Sequence, residues 1–138
     1  MKKVDHAEIR MSFLLSLRER GIRNTAILKA FEAIKRTDFI GHVYADLARD
    51  DISLPIGCGQ SQTAPSSLAL MIDALSVNPD HRVLEIGTGS GYMAALLGQR
   101  AGQVVSLEIK PALVEFAREN LHSAGISNVE VRQGDGSK

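Results

Sequence analysis

The segment Val83-Leu84-Glu85-Ile86-Gly87-Thr88-Gly89-Ser90-Gly91-Tyr92 constrains this chain more than any other. A short apolar run followed at once by three glycines, and then by Ala94, Ala95, Leu96 and Leu97, reads as a buried strand, a tight turn and a helix over residues 92–100. The same texture repeats downstream. Residues 104–109 read as a second strand, and Pro111 opens a helix with Leu113, Val114, Ala117 and Leu121 inward and Gly125 as its stop. Residues 128–132 read as a third strand before Gly134-Asp135-Gly136. Strands alternating with helices predict an α/β fold with a parallel sheet, and the alternation would be expected to continue past Lys138.

Upstream the period is helical. Ile9, Phe13, Leu14 and Leu17 share one stripe of a helix over residues 5–20, which Gly21 can stop in a left-handed conformation. Asn24 is a good N-cap for a second helix carrying Ile27, Leu28, Phe31 and Ile34. From Phe39 to Pro65 the period dissolves, and the stretch reads mainly as loop with a short helical piece at residues 44–48. A loop of that length in a compact domain is a functional candidate. Pro65 suits a first helical position, and Leu68, Met71, Ile72 and Leu75 form the stripe of a third helix ending near Asn78-Pro79. The expected organisation is a helical region with a substrate loop over residues 1–64 and a cofactor-binding half, incomplete at its C-terminus, over residues 65–138.

Charge and composition exclude several classes. Sixteen basic and sixteen acidic residues leave no net field to gather a phosphate backbone, and 4% aromatic residues without tryptophan offer no stacking platform, so nucleic acid is not expected as a partner. No apolar run approaches the ~20 residues that cross a bilayer. The positive start Met1-Lys2-Lys3 is followed by Asp5, His6, Glu8 and Arg10, which break a signal-peptide core. A lone cysteine, Cys58, fits a reducing compartment, and the cytoplasm is the expected location. Cys58 itself reads as a small packing or incidental residue, and Met11, Met71 and Met93 read as core filling. His6, His42, His81 and His122 lack metal-ligand spacing and Asp46, Asp50 and Asp51 form no calcium loop, so no metal is expected.

The glycine loop lets a ligand lie against backbone. A dinucleotide fingerprint needs its last glycine at position 92, where this chain has Tyr, which counts against a nicotinamide or flavin enzyme. Glu85 would repel a pyrophosphate and welcome a cation or hydrogen-bond donors. Glu108, ending the second strand, can accept from the vicinal hydroxyls of a ribose, and Asp135 can accept from an adenine amino group. Three acids at three successive strand ends line the edge of the sheet where open α/β folds bind ligands.

These residues resemble the class I S-adenosylmethionine-dependent methyltransferases. The resemblance implies a Rossmann-like fold of which this chain supplies the first three parallel strands, preceded by a helical region. It implies that Gly87, Thr88, Gly89 and Gly91 hold S-adenosylmethionine, and S-adenosylhomocysteine after transfer. Glu85 would then lie near the methionine portion, Glu108 and Ile109 at the ribose, and Asp135 with Gly136 at the adenine. Tyr92 has two readings, cover for the cofactor or ordinary helix packing.

A narrower likeness lies about twenty residues earlier. The run Leu54-Pro55-Ile56-Gly57-Cys58-Gly59-Gln60-Ser61-Gln62-Thr63-Ala64-Pro65 resembles the L-P-I-G-x-G-Q-T-I-S-Q-P segment of the protein-L-isoaspartate (D-aspartate) O-methyltransferases. Arg36-Thr37-Asp38-Phe39-Ile40 looks like that family's R-x-x-F-V, and the likeness runs from about Ala26 to Gly136, after which the family pattern continues and this chain looks truncated. The family's Thr, Ile, Ser and Gln become Ser61, Gln62, Thr63 and Ala64, so both hydroxyl positions survive while an apolar one turns polar. Arg49-Asp50-Asp51 replaces an aromatic residue before the acid.

The resemblance implies methyl transfer to the carboxylate of isoaspartyl proteins or peptides, whose ester collapses to a succinimide and so begins repair. Thr63 and Ser61 would be the catalytic hydroxyls. Such a carboxylate is already ionised at neutral pH, so no general base is needed, and none stands out. Gln62 and Ala64 keep a different acceptor open. The strands not present keep open a module that only binds cofactor, and residues 83–86 would leave an unpaired apolar edge suited to self-association.

Overall fold

The computed structural model describes residues 6–138. The Met1-Lys2-Lys3 start and the side chain of Ile9 lie outside the described residues. Helix α1 (His6–Glu19) ends at Gly21, whose φ of 99° is the left-handed stop that glycine adopts without strain. Helix α2 (Thr25–Ala33) begins where the Asn24 side chain accepts a hydrogen bond from the Ala26 amide at 3.0 Å.

The loop expected between Phe39 and Pro65 is more ordered than its sequence indicates. Two 3-10 turns (Arg36–Phe39 and His42–Leu47) lead into an antiparallel hairpin of β1 (Leu54–Gly57) and β2 (Gln60–Gln62). The hairpin turns through Gly57, Cys58 and Gly59, all at positive φ. A cysteine at φ 54° is strained and its side chain is exposed, so Cys58 is a turn residue and not a packing one. The hairpin escaped the sequence reading because strands of four and three residues show no alternation to count.

Helix α3 (Pro65–Leu75) stops at Ser76 in a left-handed conformation, short of the expected Asn78-Pro79. It buries Leu68 and Ile72 but leaves Met71 and Leu75 exposed, correcting the predicted stripe. Met11 is exposed as well, because the core lies on the opposite side of α1 around Leu17.

The sheet holds β3 (Arg82–Ile86), β4 (Gln103–Glu108) and β5 (Val129–Gln133), parallel and in that order. Helix α4 (Tyr92–Gly98) links β3 to β4 and α5 (Pro111–Ser123) links β4 to β5. Leu84 and Ile86 are largely exposed on the β3 edge strand, and Ile109 falls just past the end of β4. One apolar core runs through both halves, joining Leu17, Ile22, Ile27, Phe31 and Phe39 to Leu68, Leu96, Val104 and Ala117. Tyr92 sits at the seam, 2% exposed, its ring edge-on to Phe31 at 6.3 Å and tilted against Phe39 at 5.7 Å. Packing holds the ring in this position, where Tyr92 also borders a crevice beside the glycine loop. Among the described residues no helix is long and apolar enough to cross a membrane.

Candidate functional site

The glycine loop is shaped by backbone demands before any ligand is considered. Gly87, Gly89 and Gly91 all take positive φ, at 89°, 57° and 91°. The amides of Gly87 and Thr88 both donate to the Leu107 carbonyl, which ties the turn to the neighbouring strand. A Cβ on Gly91 would also meet Ala117 and Leu121 of α5 at 3.4 Å, so its small size lets that helix approach. Nothing lies within 4 Å of a Cβ on Gly87, which leaves backbone open to a ligand.

Beneath this loop runs a chain of short hydrogen bonds. Ser106, fully buried on β4, donates to the Glu85 carboxylate at 2.5 Å and lies 2.5 Å from the Thr88 hydroxyl. With its proton directed to Glu85, the Ser106 oxygen accepts from Thr88. Burial pushes the Glu85 carboxyl up to about 7, the Ser106 hydrogen bond working against that rise and the nearby charge of Glu108 adding to it. A cation brought beside Glu85 would reverse the shift and restore the ionised form.

Glu108, 6% exposed, closes the loop from the side. One of its oxygens accepts from the Gly89 amide and the other from the Lys110 amide, both at 2.9 Å. Each carboxylate oxygen has two lone pairs, so both retain one for a further donor. The third acid is placed differently. Asp135 is exposed and accepts from the Ser137 hydroxyl at 2.6 Å and amide at 2.9 Å, which hold it below the usual carboxylate range. Gly136 lies against Ile86, whose side chain would collide with any Cβ there.

The hairpin stands across the glycine loop. A crevice of about 280 Å³ between them is lined by Ser61, Thr63, Glu85, Gly87, Thr88 and Gly89, with Ile56, Met71 and Ile86 among its apolar walls. Ile56 reaches so near that a Cβ on Gly89 would come within 3.1 Å of its tip. Six of the residues proposed from sequence therefore share one space. Gly91, Glu108, Ile109, Asp135 and Gly136 lie outside its lining, with Glu108 in contact through Gly89. A larger cavity of about 720 Å³, bordered by Phe13, Phe31, Lys35 and Arg49, contains none of the predicted site residues.

Sequence reasoning missed the groups that hold the two loops together. Gln62, 6% exposed, accepts from Arg36 Nε at 2.5 Å and donates to the Phe39 carbonyl at 3.2 Å and the Ser90 hydroxyl at 2.9 Å. The Arg36 guanidinium also donates to the carbonyls of Asp50 at 2.9 Å and Ile52 at 2.6 Å. Asp51 accepts from the Ser66 amide at 2.9 Å and pairs with Arg20 at 2.9 Å, fixing the loop to the first turn of α3. Burial works against the Asp51 charge, but those partners and Arg36 hold its carboxyl below its ordinary value. Among the described residues, no group of three His, Cys, Asp or Glu side chains is placed to hold a metal ion.

Comparison with known proteins bears on this arrangement. A family model described as Protein-L-isoaspartate(D-aspartate) O-methyltransferase matches residues 9–138. The chain is 46% identical over 129 residues to a protein-L-isoaspartate O-methyltransferase of Azorhizobium caulinodans, covering 94% of this chain and 59% of that relative. It is 47% identical over 127 residues to one from Rhodopseudomonas palustris (strain BisA53), covering 92% of this chain and again 59% of the relative. A solved protein-L-isoaspartate O-methyltransferase superposes with a TM-score of 0.82 at 32% identity, over 92% of this chain and 42% of that one. The chain thus spans less than two thirds of the length of these relatives.

Proposed function

Because this chain belongs to the protein-L-isoaspartate(D-aspartate) O-methyltransferase family, we propose that it carries the cofactor loop and acceptor loop of an enzyme that methylates isoaspartyl carboxylates in damaged proteins. The observation that carries this reading is the crevice in which the hydroxyl residues Ser61 and Thr63 meet Glu85 and the glycine loop. In this division of labour, residues 1–64 orient the acceptor and residues 65–138 bind the methyl donor. The cytoplasm, expected for a lone thiol, is the compartment that fits such repair.

S-adenosylmethionine, when bound, supplies a sulfonium methyl group to the acceptor. The glycines leave backbone free for its methionine portion, and Glu85 lies where a cationic group is favoured. Glu108 keeps a lone pair on each oxygen for ribose hydroxyls while its other bonds brace Gly89 and Lys110. Asp135 and Gly136, beside Ile86 at the next strand end, are assigned to the adenine. Thr63 and Ser61 donate to the acceptor carboxylate and hold it in line. An ionised carboxylate needs no base, so alignment of the acceptor with the methyl donor supplies the rate.

Calorimetric titration of the chain with S-adenosylhomocysteine tests the donor site. Saturable binding is expected, weakened at least about tenfold in Glu108→Ala, the cost of a hydrogen bond to a charged group. No binding by a folded chain would overturn it. Transfer is tested on the protein extended to the length of its relatives with an isoaspartyl peptide, where absence of methyl ester despite cofactor binding would refute the acceptor.

A further inference from the structure

Gln62 occupies a position where the resemblance leads one to expect an apolar residue, yet it is buried and uses both ends of its amide. Its oxygen receives Arg36 Nε, and its nitrogen serves the Phe39 carbonyl and the Ser90 hydroxyl. Arg36 and Ser90 are themselves 5% and 2% exposed. Arg36 grips the backbone that leads into β1, and Ser90 belongs to the glycine loop, with its carbonyl accepting from Asn120 of α5 at 3.0 Å. The only element carrying Gln62 is β2, which bears Ser61 and precedes Thr63.

We propose that Gln62 is a positioning residue, whose amide joins Arg36 to Ser90 and so fixes the acceptor hairpin at a set height above the cofactor loop. Two features make this more than core filling. The amide is oriented, since only the oxygen can receive Arg36 and only the nitrogen can serve a carbonyl and a hydroxyl at once. The approach of Ile56 to Gly89 across the same gap is apolar and without direction. The hairpin's angle therefore depends on Gln62. A ligand that stiffens the glycine loop would stiffen the hairpin through the same amide, which ties acceptor geometry to an occupied donor site. This coupling rests on the methyl-transfer reading, whereas the anchoring does not.

Hydrogen exchange on the whole chain separates the two. Gln62→Met keeps length and volume without the polar atoms, and Ser90→Ala removes one link while leaving Gln62 its other two partners. In the free chain Ser90→Ala is expected to exchange amides of residues 54–62 about tenfold faster, the equivalent of one hydrogen bond, and Gln62→Met, which removes three, faster still, with β4 and α5 unchanged. Unchanged hairpin rates, or equal acceleration in β4 and α5, would overturn the anchoring. With S-adenosylhomocysteine, the native chain is expected to gain protection in both 87–91 and 54–62, and the variants in 87–91 alone. Equal hairpin protection in the variants would overturn the coupling. No protection of 87–91 in the native chain would instead fault the cofactor reading, while the free-chain comparison still decides the anchoring.

Discussion

Replacing Glu85 by Gln should make the chain more stable at high pH and leave it little changed at low pH. The folded carboxyl is pushed from its ordinary 4.5 up to about 7, so between those values it holds a proton that the unfolded chain has released. Where the folded state binds more protons, stability falls as pH rises. The contribution is therefore fully present below pH ~4.5 and is lost on passing pH ~7. At roughly 1.4 kcal/mol per pH unit, the ionised form costs on the order of 3 kcal/mol above neutrality. Glutamine cannot ionise, and its oxygen can still accept from Ser106, so the variant escapes the penalty without orphaning that buried hydroxyl. Urea unfolding of both proteins from pH 4.5 to 8 reads the difference directly. With a slope of about 1–3 kcal/mol per molar urea, the variant's midpoint at pH 8 should lie roughly 1–3 M above the native one. The two midpoints should converge toward pH 4.5. A difference that stays flat within about 0.5 kcal/mol over that range would refute the claim that burial raises this carboxyl.

Phe39, fully buried against Tyr92, should cost about 3–5 kcal/mol when cut to Ala, read as a lowered thermal midpoint. Gly102→Ala would place its Cβ 2.5 Å from the Pro79 carbonyl oxygen, a backbone atom with no rotamer to yield, and should lose about 1–3 kcal/mol by the same measure. Asn24→Ala removes the cap that accepts from Ala26 and should cost about 1 kcal/mol, with faster amide exchange at the start of α2.

The parts of the fold legible in the sequence were those governed by neighbours along the chain. The three parallel strands fall within a residue or so of their expected limits, because apolar runs closed by glycine or proline carry their own boundaries. The stop at Gly21 and the cap at Asn24 are local for the same reason. Met71 and Leu75 failed because periodicity identifies a stripe without saying how much of it another element will cover. The hairpin failed because its strands are too short to carry a period, and its pairing rests on a turn through three residues at positive φ, one of them a cysteine.

The site divides along the same line. The glycine turn and the acid two positions before it were legible because that turn geometry and that charge lie within a few positions of each other, whereas Glu108 reaches the Gly89 amide across 19 positions. Only the tertiary structure decided that Gln62 faces inward to Arg36 and Ser90, 26 and 28 positions away. It alone set Ser106 under Glu85, 21 positions away, with the burial that raises that carboxyl. A hydrogen bond between distant residues leaves no periodic mark on the chain. Its partners become visible when folding removes water from around them and each polar atom must be met by another.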